Sequence, residues 1–288
     1  MNTDGFLIID KAEGVTSSYV DKICKRVFRA NKIGHIGTLD PFATGVLLIA
    51  INAGTKAIPY ITTVSKTYEF EVKFGAKTDT GDLTGKVIKS CSKTLSTADI
   101  KKVLPNFVGK ISQKPHPFSA VKINGARAYT LARRGLVPDI KNREVIIFNL
   151  ELIGDVRFRA EVSPGTYIRT LVEDIAAALE TYAYVVSLRR VIDGKFSLKD
   201  AIALDKLEAM PDNIGRFVIP IKDVLDDIPV VFVSEQEAQD LIFGRKIYFE
   251  SDKSESRYLV SASCGFLGIA EFRKEALSLK RLFIKGEK

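Results

Sequence analysis

Strand-like and helix-like segments follow one another in this chain without a regular alternation. An apolar strand at residues 6–9 precedes an amphipathic helix at residues 17–28, and a second apolar strand follows at residues 46–51. Two further strands, joined by a turn at residues 154–155, come before a helix that begins near Ile168. A regular strand–helix–strand order would predict a doubly wound parallel sheet. The irregular order favours an α+β fold instead.

Two segments have a periodicity that defines which of their faces is buried. Residues 67–74 alternate between apolar and polar side chains, which is typical of a strand with one buried face. In the helix at residues 17–28, apolar side chains recur with helical spacing and predict a core-facing stripe. The opposite face of this helix and the residues just beyond it are basic, with Lys22, Lys25, Arg26, Arg29 and Lys32.

The length of 288 residues suits two domains, and we expect a boundary near residues 226–229. Residues 1–228 would form the larger domain. The remaining segment contains a short strand, a capping box that starts at Ser234, and three more strand-like runs. Residues 229–288 are therefore predicted to form a small β-rich domain.

Composition and short motifs exclude several classes of protein. No apolar run approaches the ~20 residues of a membrane span, and the N-terminus lacks the pattern of an export signal, so we expect a cytoplasmic protein with no membrane contact. Three scattered cysteines and two histidines are too few for a disulfide framework or a typical zinc cluster, and no metal is expected. The chain also lacks the phosphate-loop, dinucleotide-binding, nucleophile-elbow and metalloprotease motifs. A reaction without a cofactor or a pure binding role remains.

The net charge of +8, from 43 basic and 35 acidic residues, suits a phosphate-rich partner because basic side chains neutralise phosphates. Charge alone does not distinguish such a protein from an ordinary basic one.

Residues 34–45 are the least ordinary stretch, with three glycines, the lone His35 and an Asp40-Pro41 pair between the basic helix and an apolar strand. The stretch is predicted to be a loop held by rigid elements, where functional residues concentrate. An Asp-Pro pair ordinarily starts a turn. The flanking glycines would also let a ligand approach closely, which makes Asp40 a candidate for chemistry. Arg169 at the start of a helix either pairs with Glu173 on the surface or faces a carboxylate or phosphate.

Together these stretches resemble the TruB family, the tRNA pseudouridine-55 synthases. Six segments match in the family's order and extend over residues 5–192, and the residues after 229 resemble, less closely, the PUA-like RNA-binding domain often appended to the family. The matching segments are residues 34–47 (GHIGTLDP and ATGVL), 66–69 (KTYE), 78–85 (TDTGD and Gly85), Gln113 with 117–122 (PFSAVK), 165–171 (GTYIRTL) and 188–190 (LRR).

The resemblance implies the pseudouridine synthase fold, with a mixed, largely antiparallel sheet. It also implies isomerisation of the T-loop uridine at position 55 of tRNA. The N-glycosidic bond is cut, the uracil turns over, and its C5 is joined to the ribose, without a cofactor or metal. The tRNA T-arm is the implied partner, with no obligatory protein partner, and the target base would have to be flipped out of its loop. A contribution to tRNA folding is also expected. No apolar stripe is left over for an interface, so we expect a monomer.

The resemblance also implies roles for single residues. Asp40 would be the catalytic carboxylate, acting on the sugar, on the base or at C2′ of the sugar. Arg169 would pair with Asp40, and Tyr68 would stack on the base with its hydroxyl near the C5 proton. His35 would occupy the space that the flipped base leaves. The uracil pocket would be lined by Tyr167 and Leu188.

Contacts to the RNA backbone are assigned from charge alone. The candidates are Lys22, Lys25, Arg26, Arg29, Lys32, Arg189 and Arg190.

Three alternatives remain open at this stage. A guide-RNA-dependent relative shares the GTLDP motif but works in a protein complex, and the segment at residues 78–85 and the short C-terminal region favour the stand-alone bacterial type instead. A non-catalytic RNA-binding or tRNA-folding protein would not need Asp40. A DNA base glycosylase would release free base. The segment before GTYIR contains Pro164, which departs from the family's usual pattern and leaves the motif intact.

Overall fold

The structure, a computed structural model, describes residues 3–119, 121–123, 125–132, 134–136, 139–210, 214–248 and 256–283. The strands, in chain order, are β1 (Gly5–Lys11), β2 (Ile33–Ile36), β3 (Thr44–Ile51), β4 (Lys66–Phe74), β5 (Ala76–Thr78), β6 (Val87–Ser90), β7 (Gly109–Gln113), β8 (Lys122–Ile123), β9 (Ala126–Arg127), β10 (Arg143–Leu152), β11 (Arg157–Val162), β12 (Ala183–Asp193), β13 (Phe196–Ser197), β14 (Ile202–Ala203), β15 (Val230–Phe232), β16 (Ile247–Tyr248), β17 (Ser256–Ala262), β18 (Gly265–Arg273) and β19 (Ala276–Leu282). The α-helices are α1 (Ser17–Val27), α2 (Gly54–Ala57), α3 (Thr97–Val103), α4 (Ala128–Ala132), α5 (Ile168–Ala178), α6 (Leu204–Ala209), α7 (Ile221–Val224) and α8 (Glu235–Ile242).

A large mixed sheet forms the centre of the protein. Its strands run in the order β14-β1-β3-β12-β4-β11-β10-β7, with β2 paired to β3 and β13 paired to β12. The β1–β14 and β3–β12 pairs are parallel and the other pairs are antiparallel. The α+β class with a mixed, largely antiparallel sheet is therefore confirmed.

Helices α1 and α5 cover one face of this sheet. Val20 and Cys24 of α1 and Leu171 and Ile175 of α5 join a core with alternate strand residues such as Leu7. Burying each large apolar side chain contributes ~1.5–3 kcal/mol, so these two stripes fix both helices to the sheet. None of the helices in the described ranges is long and apolar enough to cross a bilayer.

The opposite face of the large sheet packs against the C-terminal strands. A second sheet, in the order β15-β17-β18-β19-β16, has its own core and also contributes to a shared one. In the shared core, Phe6 and Ile8 of β1 pack in one cluster with Leu259 of β17 and Ile269 of β18. The two sheets are thus joined by buried apolar contacts. That residues 229–288 form a PUA-like RNA-binding domain stays a prediction.

Most elements agree with the sequence-based predictions. The strand at residues 67–74 buries its apolar face, and the capping box at Ser234 is present. The prediction of a loop over residues 34–45 is wrong at both ends. Its first three residues belong to β2, where His35 pairs with Ile49 of β3, and its last two belong to β3. Gly34 within β2 and Gly37 just after it had indicated a loop, whereas pairing with β3 stabilises an extended backbone.

Candidate active site

Asp40 lies in the connection between β2 and β3. Hydrogen bonds from buried polar groups hold this connection in place. The backbone N–H of Ala43 donates to the Asp40 carbonyl at 3.1 Å, which closes a turn. The Lys11 ammonium, fully buried at the end of β1, donates to the Pro41 carbonyl at 3.1 Å. Burial lowers the pKa of Lys11 to about 8, and the charge of Asp40 opposes this shift. At the start of α1, the Ser17 hydroxyl accepts from the backbone N–H of Leu39 at 3.0 Å.

Arg169 is buried in the first turn of α5 and faces the Asp40 carboxylate. Its Nη2 lies 2.8 Å from Asp40 Oδ2. The same guanidinium donates to the carbonyl oxygens of Thr80 and Phe118 at 2.8 and 3.0 Å, and its Nη1 lies 3.3 Å from Asp82 Oδ2. The structure thus brings Arg169 and Asp40 together as expected, and it excludes the alternative of a surface pair with Glu173, since Arg169 is 4% exposed.

Asp82 is a member of this site to which sequence reasoning assigned no role. It is buried, and its Oδ1 accepts from the hydroxyls of Thr80 and Thr84 at 2.8 and 2.6 Å. A carboxylate with hydroxyl residues two positions before and after it is typical of a local side-chain turn. That spacing was visible in the segment at residues 78–85 and could have indicated a structural carboxylate.

The electrostatics of Asp40 reflect opposing influences. Burial raises the pKa of the Asp40 carboxyl, the Arg169 guanidinium lowers it, and the nearby charge of Asp82 raises it again. Desolvation favours the neutral acid, whereas an adjacent cation favours the carboxylate. The net direction is upward from the ordinary value of an aspartate.

Asp40 and Arg169 line two adjoining cavities. The first, of about 460 Å³, is also lined by Tyr68, Tyr167 and Leu188, and we call it the base cavity. The second, of about 410 Å³, is lined by His35, and we call it the His35 cavity. Among the residues that the structure describes, no group of three or more His, Cys, Asp or Glu side chains could hold a metal ion.

Tyr68 and Tyr167 are both fixed in the wall of the base cavity. Tyr68 is 8% exposed and lies directly opposite Arg190 on the neighbouring strand β12. Burial raises the pKa of the Tyr68 phenol, and Arg190 opposes this with its charge and a hydrogen bond. The buried Gln113 amide binds both backbone groups of Tyr167, accepting from its N–H at 3.1 Å and donating to its carbonyl at 3.4 Å. The Arg143 guanidinium lies 5.3 Å from the centre of the Tyr167 ring.

His35 is anchored at both ring nitrogens. Its Nδ1 lies 2.7 Å from Asp21 Oδ2, and its Nε2 lies 3.0 Å from the Thr38 hydroxyl. Asp21 belongs to α1. Thr38 belongs to the connection between β2 and β3, residues 37–43, which we call the Asp40 loop. The imidazole therefore connects the basic helix to the loop at the edge of the His35 cavity.

The candidates for RNA backbone contacts lie on α1 and just beyond it, and on β12. Five are exposed on α1 and just beyond it, and these are Lys22, Lys25, Arg26, Arg29 and Lys32. Arg189 is partly exposed and pairs with Asp10 at 2.7 Å. The candidacy of Arg190 as an RNA backbone contact is not supported by its position, because this residue is 1% exposed and donates to the carbonyls of Val46 and Gly37 at 2.7 and 2.8 Å. Arg190 belongs to β12, and its buried side chain lines the base cavity.

Two family models match the chain. Residues 25–168 match the N-terminal domain of TruB family pseudouridylate synthases, and residues 169–226 match the tRNA pseudouridylate synthase B C-terminal domain. A curated tRNA pseudouridine synthase B from Aquifex aeolicus (strain VF5) is 38% identical over 287 residues, covering 98% of this chain and 100% of the relative. The chain belongs to the TruB family. It is a pseudouridine synthase, an isomerase, and the alternative of a DNA base glycosylase is excluded.

Other TruB relatives and solved structures agree. The tRNA pseudouridine synthase B of Gluconacetobacter diazotrophicus is 39% identical over 272 residues, covering 92% of this chain and 89% of the relative. That of Rickettsia bellii (strain OSU 85-389) is 36% identical over 285 residues, covering 96% and 97%. A chain from a Cbf5-Nop10-Gar1 complex aligns with a TM-score of 0.71 at 21% identity, covering 97% of this chain and 85% of the other, and this similarity supports the fold alone.

Proposed function

We propose that this TruB family member isomerises the T-loop uridine at position 55 of tRNA to pseudouridine. The observation that carries the proposal is the position of Asp40, which is paired to Arg169 at the junction of two cavities. One of these, the base cavity, has the aromatic and apolar walls that bind a flat base. The names of the curated relatives support tRNA as the substrate.

The reaction begins with a uridine that has left its loop. Enzymes that act on a base inside a folded nucleic acid extrude it into a pocket, at a cost of a few kcal/mol. The base cavity receives the uracil between Tyr68, Tyr167 and Leu188. On the other side of Asp40, His35 fills or braces the space that the base has left.

Asp40 acts next on the bound nucleotide. Its carboxylate attacks the sugar or the base, or assists removal of the proton at C2′, while Arg169 keeps it ionised and oriented. The bond from C1′ to N1 breaks, the uracil rotates, and C1′ is joined to C5. The Tyr68 hydroxyl lies near the C5 proton, which leaves in the last step.

The remaining parts of the proposal concern binding. Lys22, Lys25, Arg26, Arg29 and Lys32 form one exposed basic face for phosphates, and the partly exposed Arg189 on β12 is a further candidate. Residues 229–288 extend RNA binding as a PUA-like domain. The enzyme acts in the cytoplasm as a monomer, without an obligatory protein partner or a cofactor, and its binding also assists tRNA folding.

A tritium-release assay tests this function. Purified protein is incubated, without any cofactor, with unmodified tRNA that carries tritium at C5 of its uridines. We expect release of one equivalent of tritium per tRNA, and none from the same tRNA with cytidine at position 55. Tight binding without release would favour the non-catalytic RNA-folding alternative or a missing partner, and release from the cytidine-55 tRNA would refute the position.

A further inference from the structure

Besides Arg169 and Arg143, which lies against the Tyr167 ring, two further cations line the base cavity together with Tyr68. Lys66 begins β4, two residues before Tyr68, and its side chain is 10% exposed. Arg190 lies opposite Tyr68 on β12. Both residues line the base cavity. Neither contacts Asp40 through a hydrogen bond or ion pair that the described residues show.

One carboxylate serves both cations. Asp193 is 2% exposed, and its Oδ2 lies 2.8 Å from Lys66 Nζ and 3.4 Å from Arg190 Nε. When both cations are charged, two positive groups face one carboxylate and leave a net charge of +1 in a buried group. Burial and the charge of Arg190 lower the pKa of Lys66, whereas the Asp193 carboxylate opposes this shift. Burying an unbalanced charge is expensive, so it is found where a partner of opposite charge arrives during function.

The geometry holds the two cations rigidly toward the cavity. Arg190 donates to the Val46 and Gly37 carbonyls, which fixes the plane of its guanidinium. Lys66 Nζ lies against the Asp40 loop, where a Cβ on Gly37 would be only 2.5 Å from it. Among the described residues, Asp193 accepts the one hydrogen bond that the Lys66 ammonium donates. An ammonium has three N–H donors, so two remain for a ligand in the cavity.

The proposed reaction produces a transient anion in this cavity. When the bond between C1′ and N1 breaks heterolytically, its electron pair stays on the uracil, whose charge spreads over N1 and the carbonyl oxygens. The pair then forms the bond between C1′ and C5. The C5 proton leaves and N1 gains a proton, so that atoms and charge balance over the isomerisation.

We propose that Lys66 and Arg190 stabilise the detached uracil anion while it turns over, with Lys66 donating hydrogen bonds to its carbonyl oxygens. This inference rests on the proposed function and extends it to the leaving group, for which Asp40 and Arg169 supply no positive excess. Fixed donors in a site that excludes water stabilise a developing charge strongly, because they need no reorganisation. Lys66 is thus a catalytic residue beside Asp40, whereas Asp193 is a positioning residue for both cations.

Three variants test the role of Lys66 in single-turnover reactions with enzyme in excess over tRNA. Lys66→Met removes the charge with little change in volume, and Lys66→Arg keeps it. Lys73→Met, on the exposed face of the same strand, is the matched control. We expect Lys66→Met to slow cleavage by about 10²-fold at saturating enzyme. Lys66→Arg should recover much of that loss, Lys73→Met should match the wild type, and all should bind tRNA equally.

A second substrate separates a catalytic from a structural role. With 5-fluorouridine at position 55, the fluorine makes the uracil anion more stable. A variant lacking Lys66 should therefore lose less of its cleavage rate on this substrate than on uridine. Digestion and chromatography of the tRNA measure the rate at which the original N-linked nucleoside disappears. We expect the deficit in this rate for Lys66→Met, relative to the wild type, to shrink several-fold. An equal deficit on both substrates would refute the inference, as would a deficit in binding alone.

The double variant Lys66→Met/Asp193→Asn is a control for folding defects. It removes both members of the Lys66–Asp193 ion pair, and Arg190 then leaves a net charge of +1. It should be more active than Lys66→Met. If Lys66→Met fails to fold, the same substrate comparison is made on the double variant and on Lys66→Arg. Inactivity of the wild type on both substrates would contradict the proposed function, whereas an active wild type with a fully active Lys66→Met would contradict this inference alone.

Discussion

Arg169 and Asp40 are joined by a 2.8 Å contact between Nη2 and Oδ2, and the guanidinium cannot follow the carboxylate if the latter moves. Its other contacts are to the Thr80 and Phe118 carbonyls and to Asp82, which belong to two further segments of the chain. The ion pair is therefore formed before a substrate arrives. A charge that is oriented in advance avoids reorganisation during the reaction.

Replacing Asp40 separates binding from chemistry. Asp40→Asn keeps the shape of the side chain and a hydrogen-bond acceptor for Arg169, but a neutral amide cannot act as a carboxylate. We expect turnover to fall by about 10²–10⁴-fold or more while tRNA affinity changes little. Tritium release and filter binding measure the two properties, and appreciable turnover in Asp40→Asn would remove Asp40 from the mechanism.

Replacing Arg169 should affect stability as well as turnover. Arg169→Met leaves the carboxylates of Asp40 and Asp82 close together without their shared cation, which costs about 3–5 kcal/mol of unfolding free energy for a buried pair. Urea denaturation measures this. The double variant Arg169→Met/Asp82→Asn should recover part of the loss. Arg157→Met, which breaks an exposed pair with Glu69, should cost less than about 1 kcal/mol.

The pH dependence of turnover should report the environment of Asp40. Burial raises the pKa of its carboxyl. The acid limb, the pH range in which the single-turnover rate falls on the acid side, should therefore lie above the pKa of an ordinary aspartate. Turnover falls as the pH drops through this raised pKa, because the carboxylate becomes protonated. Asp82→Asn removes a neighbouring negative charge that raises the pKa, so the limb should move to lower pH.

The matched control for this shift is Glu71→Gln on the exposed face of β4, which should leave the limb in place. A limb that moves to higher pH in Asp82→Asn would contradict the assignment of Asp40 as the titrating group.

Much of the local structure could be predicted from the sequence, because periodicity and helix caps depend on residues that are close together in the chain. The alternating face of Tyr68 and the helix after Tyr167 follow from such patterns. Long-range pairing does not. The strand around His35 exists because it pairs with β3, and its glycines obscure this in the sequence.

The site could be predicted only where a motif identified it. The charge of Arg190 is typical of an exposed residue, whereas in the structure the residue is buried beside Tyr68 in the sheet. A sequence shows that a residue is cationic, but the Val46 and Gly37 carbonyls that accept from this guanidinium lie 144 and 153 positions earlier in the chain. Only Asp193 lies nearby, on the same strand. Asp82 and Lys66 were similarly visible only as members of matching segments.

The shared core predicts that the C-terminal sheet stabilises the large one. Ile269 is fully buried among residues of both sheets. Ile269→Ala should cost about 2–5 kcal/mol of unfolding free energy and lower a single, common transition. The exposed Phe232, which lies in the same sheet, is the control, and Phe232→Ala should cost almost nothing.

Deleting residues 229–288 should then weaken tRNA binding more than chemistry, but it should also lower the melting temperature, because Phe6 and Ile8 lose their cover. A truncated protein as stable as the full chain would contradict the shared core. Complete loss of chemistry in a folded truncation would contradict a separate binding domain.

The basic face of α1 should contribute to affinity through phosphates. Neutralising phosphates releases counterions, so binding weakens with salt in proportion to the number of phosphates bound. Lys22→Ala/Lys25→Ala/Arg29→Ala should weaken binding and reduce the slope of log K against log salt by about one for each phosphate that is no longer neutralised. Single-turnover rates at saturating enzyme should not change. Lys101→Ala/Lys102→Ala on the exposed part of α3 should leave the slope as it is, and an unchanged slope in the α1 variant would place the phosphates elsewhere.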